Sequence, residues 1–82
     1  MELSYIEKHV ASSNLVLNSC YGPMAQFSTV LRNEHVIITY SLVARGITNI
    51  TCYQELESSD IDFLEELLGN HIYDMQLNKK II

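Results

Sequence analysis

Apolar and polar positions alternate along this chain with two different periods, and the changes of period mark its elements. Leu3, Ile6 and Val10 recur at helical spacing, with Glu2, Glu7 and Lys8 mostly elsewhere, so residues 2–12 read as a short helix. The polar stretch SSN at 12–14 interrupts that pattern. LVLNSCY, 15–21, then reads as a strand with Leu15, Leu17 and Tyr21 on one face, and Gly22-Pro23 is a turn signal. MAQFSTVLRN admits two readings. Met24, Phe27, Val30 and Leu31 suit a helix, whereas Ala25, Phe27, Thr29 and Leu31 fall on alternate positions; its Phe, Thr and Val favour a strand over 25–31.

The second half is more regular. VIITYSLV, 36–43, is rich in β-branched residues and apolar on both faces, which predicts a central strand covered by helix on one side and by a partner on the other. Arg45-Gly46 supplies a turn into ITNITCYQEL, an alternating strand over 47–56. Ser59 followed by Asp62 fits a helix-capping pattern. Beyond it Ile61, Phe63, Leu64, Leu67, Leu68 and Ile72 cover about half of a helical circumference, and Asp62, Glu65 and Glu66 share the other half. This predicts a helix over 60–73, ended near Gly69-Asn70 or continuing to Tyr73. The last residues, 73–82, read as an edge strand or a tail, with Lys79 and Lys80 suited to an exposed edge. The fold class is therefore α+β: a three- or four-stranded antiparallel sheet with an N-terminal and a C-terminal helix packed on one face.

That element order, around CYGPMAQFSTV, is similar to the order in a double-stranded-RNA-binding domain. The likeness covers element order alone. The lysines such a domain carries at the start of its second helix are absent, and acidic residues occupy that place.

Composition narrows the picture. Eighty-two residues, 48% hydrophobic and 18% charged, describe one globular domain, residues 1–82, without an internal repeat. A domain this small buries only about 60% of its unfolded surface, so dimerisation would add stability. No apolar run approaches the roughly 18–20 residues that span a bilayer. The start, MELSYIEKHV, has no basic segment followed by an apolar one. The expectation is a cytoplasmic protein, or one of a host cytosol, with no membrane partner.

Candidate chemistry is sparse. His9, His35 and His71 are scattered, with no helix-spaced pair to ligate a metal. Cys20 and Cys52 are spaced neither as a metal knuckle nor as a redox pair, and neither occupies a helix start that would activate a thiolate. Three well-separated glycines make no phosphate loop. The sequence thus predicts no catalytic residue, no metal and no cofactor. A small thiol- or metal-dependent enzyme is the least favoured reading.

Charge is the unusual feature. Residues 1–54 are balanced, with Glu2, Glu7 and Glu34 against Lys8, Arg32 and Arg45. Residues 55–82 carry Glu55, Glu57, Asp60, Asp62, Glu65, Glu66 and Asp74 against Lys79 and Lys80, so the whole net charge of −5 lies there. No lysine stands four residues after the helical glutamates to answer them. A solubilising surface is the plain explanation. The functional one is a docking face made of Glu55, Glu57, Asp60, Asp62, Glu65, Glu66 and Tyr73, which steers a basic protein surface into place. The expected function is a non-enzymatic interaction module, a regulator or inhibitor, whose partner is a basic protein such as one that itself binds nucleic acid. Direct nucleic-acid binding is disfavoured, since it needs lysines and arginines to neutralise phosphates and the chain has five in all. The alternative is a homodimer or larger assembly in which the sheet completes its core with a second copy.

Overall fold

The computed structural model describes residues 3–75. The element order is α1 (Tyr5–Ser13), β1 (Val16–Tyr21), β2 (Met24–Leu31), β3 (Glu34–Ser41), β4 (Gly46–Thr51) and α2 (Ser58–Met75). The four strands form an antiparallel meander in sequence order, β1-β2-β3-β4. Both helices lie on one face, as the alternation along the strands requires. The uncertain segment 25–31 is a strand, and its alternate residues Ala25, Phe27, Thr29 and Leu31 are all buried.

The core is the layer between sheet and helices. Phe27 pairs with Ile38, Thr29 with Val36 and Ala25 with Tyr40 across β2 and β3. These side chains meet Leu64, Leu68 and Ile72, one per turn along α2. Phe27 also meets the edge of His71, with ring centroids 5.8 Å apart and planes at 82°. The buried Thr29 hydroxyl donates to the carbonyl of Ala11. That carbonyl lies in the last turn of α1, where it lacks an intrahelical partner, so the bond satisfies it and pins the helix to the sheet.

Three sequence expectations are corrected. First, Ile6 and Val10 do not face the core: Ile6 is 72% exposed, and Ala11 is the buried residue of α1. The helix starts at a capping box, in which the Ser4 hydroxyl accepts the Glu7 amide and the Glu7 carboxylate accepts the Ser4 amide. Leu3 is buried ahead of that box, outside the helix.

Second, the strand predicted at 36–43 is shifted to Glu34–Ser41, so its outward residues are His35, Ile37 and Thr39, with Ser41 buried at its end. Leu42 and Val43 leave the strand in a turn over 42–45, steadied by the Ala44 amide on the Ser41 hydroxyl and the Arg45 amide on the Ser41 carbonyl. The outward side of β3 is therefore less apolar than the sequence pattern suggests, with Ile37 its one large apolar residue.

Third, α2 is capped two positions before the predicted pair. Asp60, not Asp62, folds back on the Glu57 amide at 3.1 Å. The helix then runs through Gly69 and includes Tyr73, Asp74 and Met75. The remainder of the predicted C-terminal strand or tail, with Lys79 and Lys80, lies outside the described residues. No described helix is long and apolar enough to cross a membrane.

Candidate functional site

The charged groups near α2 are organised by one arginine. β2 and β3 are joined by the two-residue turn Arg32-Asn33, with φ of 50° and 66°. Both residues are left-handed, which matches the twist of a tight hairpin but is costly for a residue other than glycine or asparagine. This conformation places the Arg32 guanidinium between the two helix starts. It grips Asp60 at two points, Nη1 to Oδ2 at 2.9 Å and Nη2 to Oδ1 at 3.1 Å. Its Nε lies 3.8 Å from Glu7 Oε2.

Glu7 and Asp60 are the two carboxylates that cap the helices, so a single side chain ties both caps to the hairpin. The hydrogen bonds from Arg32 hold the Asp60 carboxyl below its usual range and outweigh the opposing effect of burial. The same bond to Asp60 raises the Arg32 guanidinium further. Glu7 is lowered first by the Ser4 amide, with Arg32 adding to it.

The acids predicted to form one surface are therefore divided. Asp60 is 1% exposed and neutralised from within, so it contributes no charge to a docking face. Glu57 lies at the same helix start, within the field of Arg32. Glu55 is exposed in the connection before α2. Glu65 is turned towards β4, where Oε1 accepts the Ile47 amide at 3.4 Å while the side chain stays exposed. Asp62 and Glu66, one turn apart, border a groove of about 360 Å³ with Leu3, Lys8, Ser59 and Phe63. Lys8 reaches over the Phe63 ring, 5.7 Å from its centroid, so α1 brings one cation beside these acids. Tyr73 is 79% exposed towards the far end of α2.

A smaller cleft of about 150 Å³ lies at that end, lined by Tyr40, Leu42, Arg45, Gly69, Ile72 and Tyr73. Burial there raises the Tyr40 phenol above its ordinary value, and the nearby Glu65 charge adds to the effect. Of the five tyrosines only Tyr40 is in the core; Tyr5, Tyr21, Tyr53 and Tyr73 are exposed.

The thiols and histidines are not assembled. The Cys20 thiol faces the Gly22 carbonyl at 3.9 Å, and the half-buried Cys52 donates to the Gln54 carbonyl at 3.0 Å. Among the described residues no three His, Cys, Asp or Glu side chains form a group able to hold a metal ion. His71 is committed to Phe27, while His9 and His35 are exposed on α1 and on the outer sheet face.

The Arg32–Asp60–Glu7 cluster was not apparent from the sequence, because its members are far apart in the chain. Part of it left a trace: Ser4-Tyr5-Ile6-Glu7 has the Ser-x-x-Glu spacing of a capping box. No protein family, curated protein or solved structure matches this chain.

Proposed function

We propose that this chain is a non-enzymatic protein-interaction module, a small regulator or inhibitor that docks the outer face of α2 on a basic protein surface. The observation that carries the reading is the division of the acids. Asp60 is spent on the fold, whereas Asp62, Glu65 and Glu66 stay exposed on a helix with no lysine or arginine. At about 100° per residue, Asp62, Glu66 and Tyr73 lie close together on the side opposite Leu64 and Leu68, with Glu65 on the β4 flank. Such a surface steers a partner rich in lysine and arginine and offers an aromatic contact at its margin. The partner's basic groove would take these carboxylates where it otherwise takes phosphates or an acidic segment.

The test compares the chain with Asp62→Lys, Glu65→Lys, Glu66→Lys combined, each immobilised and exposed to source lysate at low salt. The expected result is a basic protein retained by the unaltered chain, released as salt rises, and not retained by the triple variant. Association kinetics with that protein should slow in the variant and lose their salt dependence. Equal retention by both chains, with both folded, overturns the proposal.

A further inference from the structure

The sheet has two edges, β1 and β4, and they are protected unequally. β4 lies against α2 and has a bulge opposite Thr39 and Tyr40, and its Ile47 amide is taken by Glu65. β1 is exposed at every residue except the half-buried Leu17. It has a bulge near Asn18 but none of the lysines, prolines or inward charges that keep natural edges apart. The absence of charge extends further: no Asp, Glu, Lys or Arg occurs between Lys8 and Arg32, a run containing β1, β2 and much of α1.

Helix α1 does not cover this edge: it packs at the far end of β2, with Ala11 at Thr29 and Glu7 beside Arg32, past the residues of β2 that pair with β1. Lys8 lies over Phe63, which turns one flank of α1 towards α2. Ile6 and Val10, one turn apart, are both exposed on α1. The β1 edge thus combines accessible backbone groups with the exposed Val16 and Tyr21 on its outer face.

We propose that β1 pairs with β1 of a second copy of this chain about a two-fold axis perpendicular to the sheet, giving one continuous eight-stranded sheet. Such an axis makes a strand antiparallel to itself, so the copy supplies matching donors and acceptors. It also keeps all helices on one face. Charge selects the same edge. Each copy carries −5, and the neutral β1 side is where two copies approach with least repulsion. At about 4.8 Å per strand, β4 lies about 14 Å from β1. The acidic faces of α2 therefore point away from the junction, separated by more than the Debye length of about 8 Å at physiological ionic strength. One strand pair makes a small interface, so the dimer dissociates on dilution. This inference goes beyond the docking reading, since α2 stays exposed in monomer and dimer alike.

The experiment is sedimentation over a dilution series, with amide hydrogen exchange at the two ends of the series. A dimer that dissociates on dilution is expected, with exchange protection rising at high concentration within residues 16–21. Val16→Lys and Tyr21→Lys, both at exposed positions of β1, should each abolish the dimer while the circular dichroism spectrum is retained. Asp62→Lys with Glu66→Lys should leave it intact, which separates this interface from the docking face. A monomer at every concentration overturns the proposal. So does a dimer that survives both lysine variants, one lost on changing the α2 acids, or protection that rises elsewhere than in β1.

Discussion

Arg32 grips Asp60 at two points across 28 residues of sequence, from a hairpin turn to the first turn of α2. The pair has a consequence beyond the cap. A buried carboxylate without its cation is strongly disfavoured, so the hairpin and α2 fold with each other or not at all.

Removing that coupling should be costly. Asp60→Ala leaves Arg32 without its main partner and the Glu57 amide without its acceptor. We expect the melting temperature to fall by about 10 °C or more, whereas Asp62→Ala should change it by no more than about 3 °C. Arg32→Lys keeps the charge but not the planar fork, so an intermediate loss is expected. Thermal melts followed by circular dichroism measure all three, and equal effects of the Asp60 and Asp62 changes would contradict the structure.

Acid should reach the same pair. Asp60 and Glu7 both titrate below their ordinary values in the folded protein, while the unfolded chain titrates near about 3.9 and 4.3. A carboxylate depressed on folding contributes stability that is fully present above its unfolded value and lost as pH falls through its folded value. The contribution of these two groups is therefore level above about pH 5 and declines below about pH 4. Urea unfolding measured against pH should show this acid limb, and Asp60→Asn should flatten it.

The Thr29 hydroxyl offers a sharper single-atom test. Thr29→Val keeps the shape and the β-branch but removes the donor to Ala11, leaving a helix-end carbonyl buried and unpaired. The expected cost is about 1–2 kcal/mol in denaturant unfolding. No change would mean that another donor reaches that carbonyl.

Two glycines should respond in opposite directions to alanine. Gly22 has φ of +60° in the β1–β2 turn, and an added Cβ would meet nothing within 4 Å. Gly22→Ala therefore costs backbone strain alone, about 1–2 kcal/mol. Gly69 lies inside α2, and its added Cβ would make an ordinary contact with the Tyr40 hydroxyl at 3.9 Å. Gly69→Ala should stabilise the protein by about 0.5–1 kcal/mol through helix propensity. Melting temperatures moving apart in this way would confirm both placements.

Much of the architecture was legible without coordinates. Alternation marked β2 at Ala25, Phe27, Thr29 and Leu31, because a half-buried strand writes its orientation into every second residue. Leu64, Leu68 and Ile72 marked the inner face of α2 for the corresponding helical reason. Where side chains on one surface were alike, pattern reading faltered. Ile6 and Val10 look like core residues of α1 and face outwards, because a helix that lies over the sheet on Ala11 leaves its larger residues to one flank.

The acid excess of the last third is likewise a property of the sequence: it is a matter of counting, and folding does not change it. The fate of each acid was decided only in three dimensions. Asp60 and Asp62 are identical side chains two positions apart, and nothing local distinguishes them. Two positions are about 200° on a helix, so packing that buries one exposes the other. The choice fell to Arg32, brought to the helix start by the hairpin turn, where its two donors offset the cost of taking a carboxylate out of water.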